Sequence, residues 1–234
     1  MTHCCSAKPT GPDPFLTHAE FAVLKQREDY LKMAGPPSPV SGIRLTKEIS
    51  LADSQVTFIV SAENIRDTSV QWDLWMNTRL DGYASFYVPA DSEHLDWVSM
   101  KADEHRDVMP YSIQDGYFTF HTSAPSEGKQ QRVQKAFLTP REPFIAAFDK
   151  GQMLLIEFEP VPVHRMHPEH RLVEIYNQVR ADEQNLLELE VHGAFQALQP
   201  GERMSLQETW TVSRAKAAQS RAQQLNRIQT AMGN

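Results

Sequence analysis

The sequence is poor in cysteine: its only two, Cys4 and Cys5, are neighbours near the start of 234 residues. Adjacent cysteines offer the fold no disulfide framework, so stability must come from a packed core. A zinc tetrahedron built on them would need a second cysteine pair that does not exist, and neither a metal nor a cofactor is expected. Long apolar runs are missing too. No segment approaches the ~20 apolar residues of a membrane span, and the opening MTHCCSAKPTGPDP lacks the apolar stretch of a secretory signal. As written, the chain is read as soluble and cytoplasmic, with no membrane partner. G-x-S-x-G elbows, phosphate-binding loops and H-E-x-x-H helices are absent, which removes the reactions they mark. Helical periodicity is scarce between residues 42 and 212.

Hydrophobic residues make up 41% of the chain, enough for a sizeable core. The net charge of −7 is uneven. Arg214, Lys216, Arg221 and Arg227 make the last 22 residues basic, leaving 19 basic against 30 acidic residues, a net −11, on residues 1–212. An acidic body of that size argues against a nucleic-acid partner.

Alternating apolar and polar residues predict strands across the middle of the chain, separated by Gly, Pro, Asp and Asn clusters, the pattern of an antiparallel sandwich. The segments are GIRLTKEISL (42–51), QVTFIVSAEN (55–64), VQWDLWMNTRL (70–80), YFTFH (117–121), VQKAFL (133–138), a PFIAAF and MLLIEF hairpin, RLVEIYNQV, LLELEV and SLQETWTV. Pro200-Gly201 is read as the turn joining the last two. Residues 1–39 form an irregular lead-in with possible short strands, 40–212 the β-domain, and 213–234 a basic C-terminal helix or tail. In that tail Ala218, Ala222, Leu225, Ile228 and Met232 give an apolar stripe at helical spacing. Residues 81–116 show little alternation and read as a long loop of the kind that carries function.

Strand parity separates candidate site residues from candidate core. On the strand around Trp72, Asp73, Trp75, Asn77 and Arg79 share a polar face, and an indole among polar groups suits stacking against a sugar. Tyr83, Phe86, Tyr87 and Trp97 could extend that platform. Glu174 and Tyr176 face away from Val173 and Ile175, and Glu188, Glu190 and His192 face away from Leu187, Leu189 and Val191. Neighbouring strands would bring three carboxylates together, which requires a cation such as Lys135, a hydroxyl-rich ligand, or a carboxyl that keeps its proton. The alternative is a solvated strand face. His164-x-x-His167-x-x-His170 has a metal-like spacing, but its prolines make it a loop, and no metal is assigned. His121 ends its strand.

Together PDPFLTHAEF, SPVSGIRLTKEI, the W-x-L-W-x-x-T element, KAF, FIAAFDKG, VEIYN, LELEV, LQPGE and ETW resemble a bacterial family of the galactose-mutarotase-like supersandwich class, over about Pro12 to Val212. The resemblance implies an all-β antiparallel supersandwich with a short C-terminal helix and a concave carbohydrate-type groove. It puts Trp75, Thr78, Lys135, Glu174, Asn177, Glu188 and Glu190 at its motif positions. It also implies strands upstream of PDPFLTHAEF; an upstream start would leave room for a signal peptide and periplasmic residence.

Mutarotases use a glutamate base and a histidine acid, but WDLWMNTRL lacks the histidine that strand carries in them. Three readings follow. The first is a domain binding a sugar or glycan through Trp75, Thr78, Arg79, Lys135, Glu174, Tyr176 and Asn177. The second is an aldose epimerase with Glu190 or Glu188 as base and His121 or His192 as acid. The third is a non-catalytic interaction module using the 81–116 loop and the basic tail. The oligomeric state is left open.

Overall fold

A computed structural model describes residues 2–5, 13–182, 184–216 and 219–233. In chain order its elements are β1 (Thr2–Cys5), α1 (Pro14–Thr17), β2 (Ala22–Arg27), β3 (Tyr30–Ala34), β4 (Ile43–Ala52), β5 (Gln55–Asn64), β6 (Val70–Leu80), β7 (Ser85–Pro89) and β8 (Leu95–Val98). There follow β9 (Arg106–Val108), β10 (Tyr111–Gln114), β11 (Tyr117–Phe120), β12 (Gln131–Leu138), β13 (Phe144–Asp149) and β14 (Gln152–Phe158). A 3-10 turn (Val163–Arg165) leads to β15 (Val173–Arg180), β16 (Leu186–His192), β17 (Gln196–Leu198), β18 (Arg203–Arg214) and α2 (Arg221–Ala231).

The strands form two sheets. An eight-stranded sheet runs β1-β6-β16-β15-β12-β8, with β17 also on β6 and β9 also on β12. A ten-stranded sheet runs β10-β11-β7-β13-β14-β18-β5-β4-β3-β2. All pairs are antiparallel except β9 with β12. Tight turns hold the hairpins. Asp115 and Gly116, and again Lys150 and Gly151, all have positive φ, the type I′ geometry whose twist matches the strands it joins.

The core lies between the sheets. Leu74, Met76, Val173, Ile175, Leu187, Leu189 and Val191 from the eight-stranded sheet pack with Ile43, Leu45, Val60, Phe86, Phe118, Ile145, Ile156 and Leu206 from the other. Every second residue of β6, β15 and β16 therefore points inward, and the residues between them line the opposite face.

Two expectations are corrected here. Residues 81–116 are not a long loop: β7 and β10 join the ten-stranded sheet, while β8 and β9 edge the other. Strands of three to five residues are too short to show a period, so their pairing comes from β11, β12 and β13. The Pro200-Gly201 turn does not join β16 to β18 as a hairpin. It follows β17, held by Gly201 N–H donating to Asn64 O at 2.9 Å, and the chain crosses there from one sheet to the other. The possible short strands of the lead-in are present as the β2–β3 hairpin, which pairs with β4 and extends the ten-stranded sheet.

The tail forms α2, docked on the outer face of the ten-stranded sheet. Leu225 and Ile228 pack against Tyr87, Phe144, Phe148, Met153 and Leu155. Ala218 of the expected stripe lies outside the described residues. No helix among the described residues is long and apolar enough to cross a membrane.

Candidate functional site

The outer face of the eight-stranded sheet carries the polar residues that alternation predicts, and register brings them side by side. Glu190 of β16 lies between Glu174 of β15 and Asn77 of β6; Glu188 lies between Tyr176 and Arg79; His192 lies opposite Trp75. Lys135 of β12 lies opposite Tyr176. Most of the cluster is buried: Asp73, Asn77, Glu174, Glu190 and His192 are at most 6% exposed. Trp75, Tyr176, Glu188 and Lys135 are half-buried and Arg79 is exposed.

Burying so many ionisable groups requires partners for them. The Lys135 ammonium sits on Glu174 Oε1. His192 Nε2 is 3.3 Å from Glu174 Oε2, and its Nδ1 is 3.8 Å from Asp73 Oδ2. Asp73 Oδ2 also meets His170 Nδ1 at 2.7 Å. At the rim Arg79 Nε and Asn77 Nδ2 each donate to Glu188 Oε1 at 2.9 Å.

Electrostatics sort these groups by charge. Burial works to raise the Glu174 carboxyl, but the His192 hydrogen bond and the Lys135 charge outweigh it and hold the group well below the usual range. Glu190 moves the other way, pushed up by burial and by the neighbouring Glu174 charge, so it keeps its proton near neutrality. Burial disfavours a charged His192, yet bonding to Asp73 and Glu174 carries its imidazole up to about 9. Asp73 is lowered: burial opposes ionisation, and His170 and His192 overcome that. The cluster thus avoids massed negative charge by pairing Glu174 with cations and leaving Glu190 neutral.

Not every candidate joins it. Thr78 and Asn177 lie on the interior face, because their parity on β6 and β15 is that of Met76 and Ile175. Asn177 is fully buried and its Nδ2 donates to Gly82 O at 3.1 Å, fixing the connection after β6. A Cβ on Gly82 would come within 2.7 Å of Gln178 O, so that connection needs glycine. His121 follows β11 on the other sheet and lines an open groove of about 460 Å³ with Tyr83, Thr119 and Arg221. The aromatic platform is also smaller than expected. Phe86 is in the core, Tyr87 lies under α2, and Trp97 stacks on Phe137 at 4.4 Å beneath Arg171.

The site gains Asp73, Asn77 and His170, to which the sequence assigned no role in binding or catalysis. Asp73 and Asn77 were legible, since they alternate with Trp75. His170 was visible only as one member of a histidine-rich loop. Its ring lies 4.6 Å from that of His192, a closeness that no local pattern encodes.

A family model described as "Domain of unknown function (DUF4380)" matches residues 6–213. Among solved structures the chain is similar to a galactose mutarotase-like protein from Lactobacillus casei ATCC 334 (TM-score 0.58, 9% identity, 83% of this chain and 73% of that one). A galactose mutarotase-like protein from Clostridium acetobutylicum gives a TM-score of 0.51 at 10% identity, over 86% of this chain and 68% of that one. The Slr1438 protein from Synechocystis sp. PCC 6803 also gives 0.51, at 11% identity, over 83% of this chain and 66% of that one. These likenesses show the fold. No curated protein matches the sequence.

Proposed function

The chain belongs to the DUF4380 family, which here has the galactose-mutarotase-like fold, and from that premise we propose that it binds a carbohydrate on the outer face of the eight-stranded sheet. The observation that carries this reading is the indole of Trp75 set among paired acceptors and donors. Asn77, Arg79, Glu188, Glu190, Tyr176 and Lys135 share its face across four adjacent strands. A sugar ring presents C–H groups to an aromatic face while its hydroxyls both donate and accept, so this mixture suits it better than a purely apolar or singly charged ligand. The half-buried rim residues supply the first contacts. The names of the galactose mutarotase-like structures support the same ligand class.

The test is a thermal-shift screen of the full chain against monosaccharides and oligosaccharides. At least one sugar should raise the melting temperature, and Trp75→Ala should abolish that rise. Silence across the panel would reject carbohydrate binding in favour of the interaction-module reading.

A second reading, aldose epimerisation, is favoured by one distance: a ring nitrogen of His192 and carboxylate oxygens of Glu190 and Glu174 all lie within 4.8 Å of one another. Ring opening needs a base to take the proton from the anomeric hydroxyl and an acid to protonate the ring oxygen. Glu188, or Glu190 in its ionised form, would be the base and His192 the acid. Polarimetry of fresh α-galactose and α-glucose checks it; a rate equal to the spontaneous one leaves binding alone.

A further inference from the structure

We propose that Asp73, His170 and His192 form a binding site for one divalent transition-metal ion of the zinc type. The side chains come from three places: β6, the loop after the 3-10 turn, and the end of β16. One ligand atom from each lies within 4.8 Å of the other two. Asp73 Oδ2 is 2.7 Å from His170 Nδ1 and 3.8 Å from His192 Nδ1. Ligands about 2.1 Å from a tetrahedral ion are spaced ~3.4 Å apart, a value these two separations bracket. Small rotations of His170, the least buried of the three, would equalise them.

Two further features support an ion over a closed network of side chains. His192 is 1% exposed, yet its ring nitrogens reach side-chain oxygens only at 3.3 Å (Glu174 Oε2) and 3.8 Å (Asp73 Oδ2). The Nδ1 contact to Asp73 is the longer of the two, so the nitrogen on the ion's side is the one held less closely by a side chain. The other feature is the surroundings: His192 Nε2 faces Glu174 Oε2, and Glu174 is held in turn by Lys135. A carboxylate behind the far nitrogen is the usual support of a metal-bound histidine, because it fixes the tautomer that presents the near nitrogen to the ion.

The donor set narrows the ion. Two imidazoles and one carboxylate suit zinc and its first-row neighbours, whereas magnesium and calcium prefer oxygen ligands. Three protein ligands leave a position open for water or a substrate oxygen. A second convergence, Glu174 with Glu190 and His192, is less suited, because the Lys135 ammonium already occupies Glu174 and would repel an ion. The site does not depend on carbohydrate binding. An ion on His192 would, however, remove that residue as a proton donor for epimerisation.

The test uses the full chain without an affinity tag, stripped with chelator, loaded with Zn²⁺ and desalted. About one equivalent should remain by elemental analysis, and Co²⁺ should give the visible absorption of a tetrahedral site. His170→Ala, whose side chain is partly exposed, should lose both while its metal-free form still melts in one cooperative transition. His164→Ala, exposed in the 3-10 turn just before that loop, should keep both. Zinc lost on desalting, retention by His170→Ala, or equal loss in His164→Ala would each overturn the site.

Discussion

Asn177 and Glu174, on the same strand, face opposite ways, and that separates what each can do. Glu174 belongs to the charged cluster; Asn177 ties β15 to the connection at Gly82. Removing a buried hydrogen-bonding side chain and leaving its partner unsatisfied costs about 1–3 kcal/mol. Asn177→Ala should therefore lower stability by about that amount in urea denaturation while leaving any sugar-induced thermal shift the same size. A lost shift in a folded Asn177→Ala protein would return this residue to the binding site. At this scale the sequence reveals chemistry through parity. Alternation put Asp73, Trp75, Asn77 and Arg79 on one face. A carry-over by motif position put Thr78 and Asn177 beside them, and strand geometry sets both on the other face.

Among the elements, α2 shows how a basic segment is used within its own chain. Ser220 and Gln223 form a reciprocal capping box, Tyr87 Oη donates to Gln224 at 2.6 Å, and Arg221 lies 5.2 Å from the Tyr87 ring centre. Arg221 also donates to Gln114 O, and Arg227 to Ser213 Oγ and Arg214 O. Two of the tail's cations are thus engaged internally, which weakens the case for it as a partner-binding arm. Ile228 is fully buried, and truncating such a residue typically costs 2–5 kcal/mol, roughly. Ile228→Ala should speed amide exchange across residues 221–231; exchange as slow as wild type would mean that the docking contributes little. The short strands within 81–116 make the complementary point. Their residues carry no readable period, and longer partners distant in sequence draw them into the sheets.

On the scale of the whole molecule, one buried carboxyl ties stability to pH. Glu208 faces the core from β18 beside Leu206 and Trp210, fully buried. Burial pushes its carboxyl up to about 7, against a smaller opposing effect from the Trp210 indole N–H, which donates at 2.8 Å. Below the ordinary carboxyl value near 4.5 both folded and unfolded chains hold this proton, and its contribution is full. As pH rises from there through 7 the unfolded chain ionises first, so up to roughly 3 kcal/mol of stability is lost. Glu208→Gln should flatten that part of the stability–pH curve and melt higher than wild type at pH 8; an unchanged slope would remove Glu208 as its source. By itself the sequence determined the sandwich, most of its longer strands and the outward side of its carboxylates, because period and parity are local properties of a chain. Only the tertiary structure decided that the cross-strand neighbours of Glu190 are Glu174 and Asn77, that the last turn crosses between sheets, and that His170 reaches Asp73 and His192. Those depend on strand order and loop path, which are fixed by burying both inner faces together and are written in no single segment.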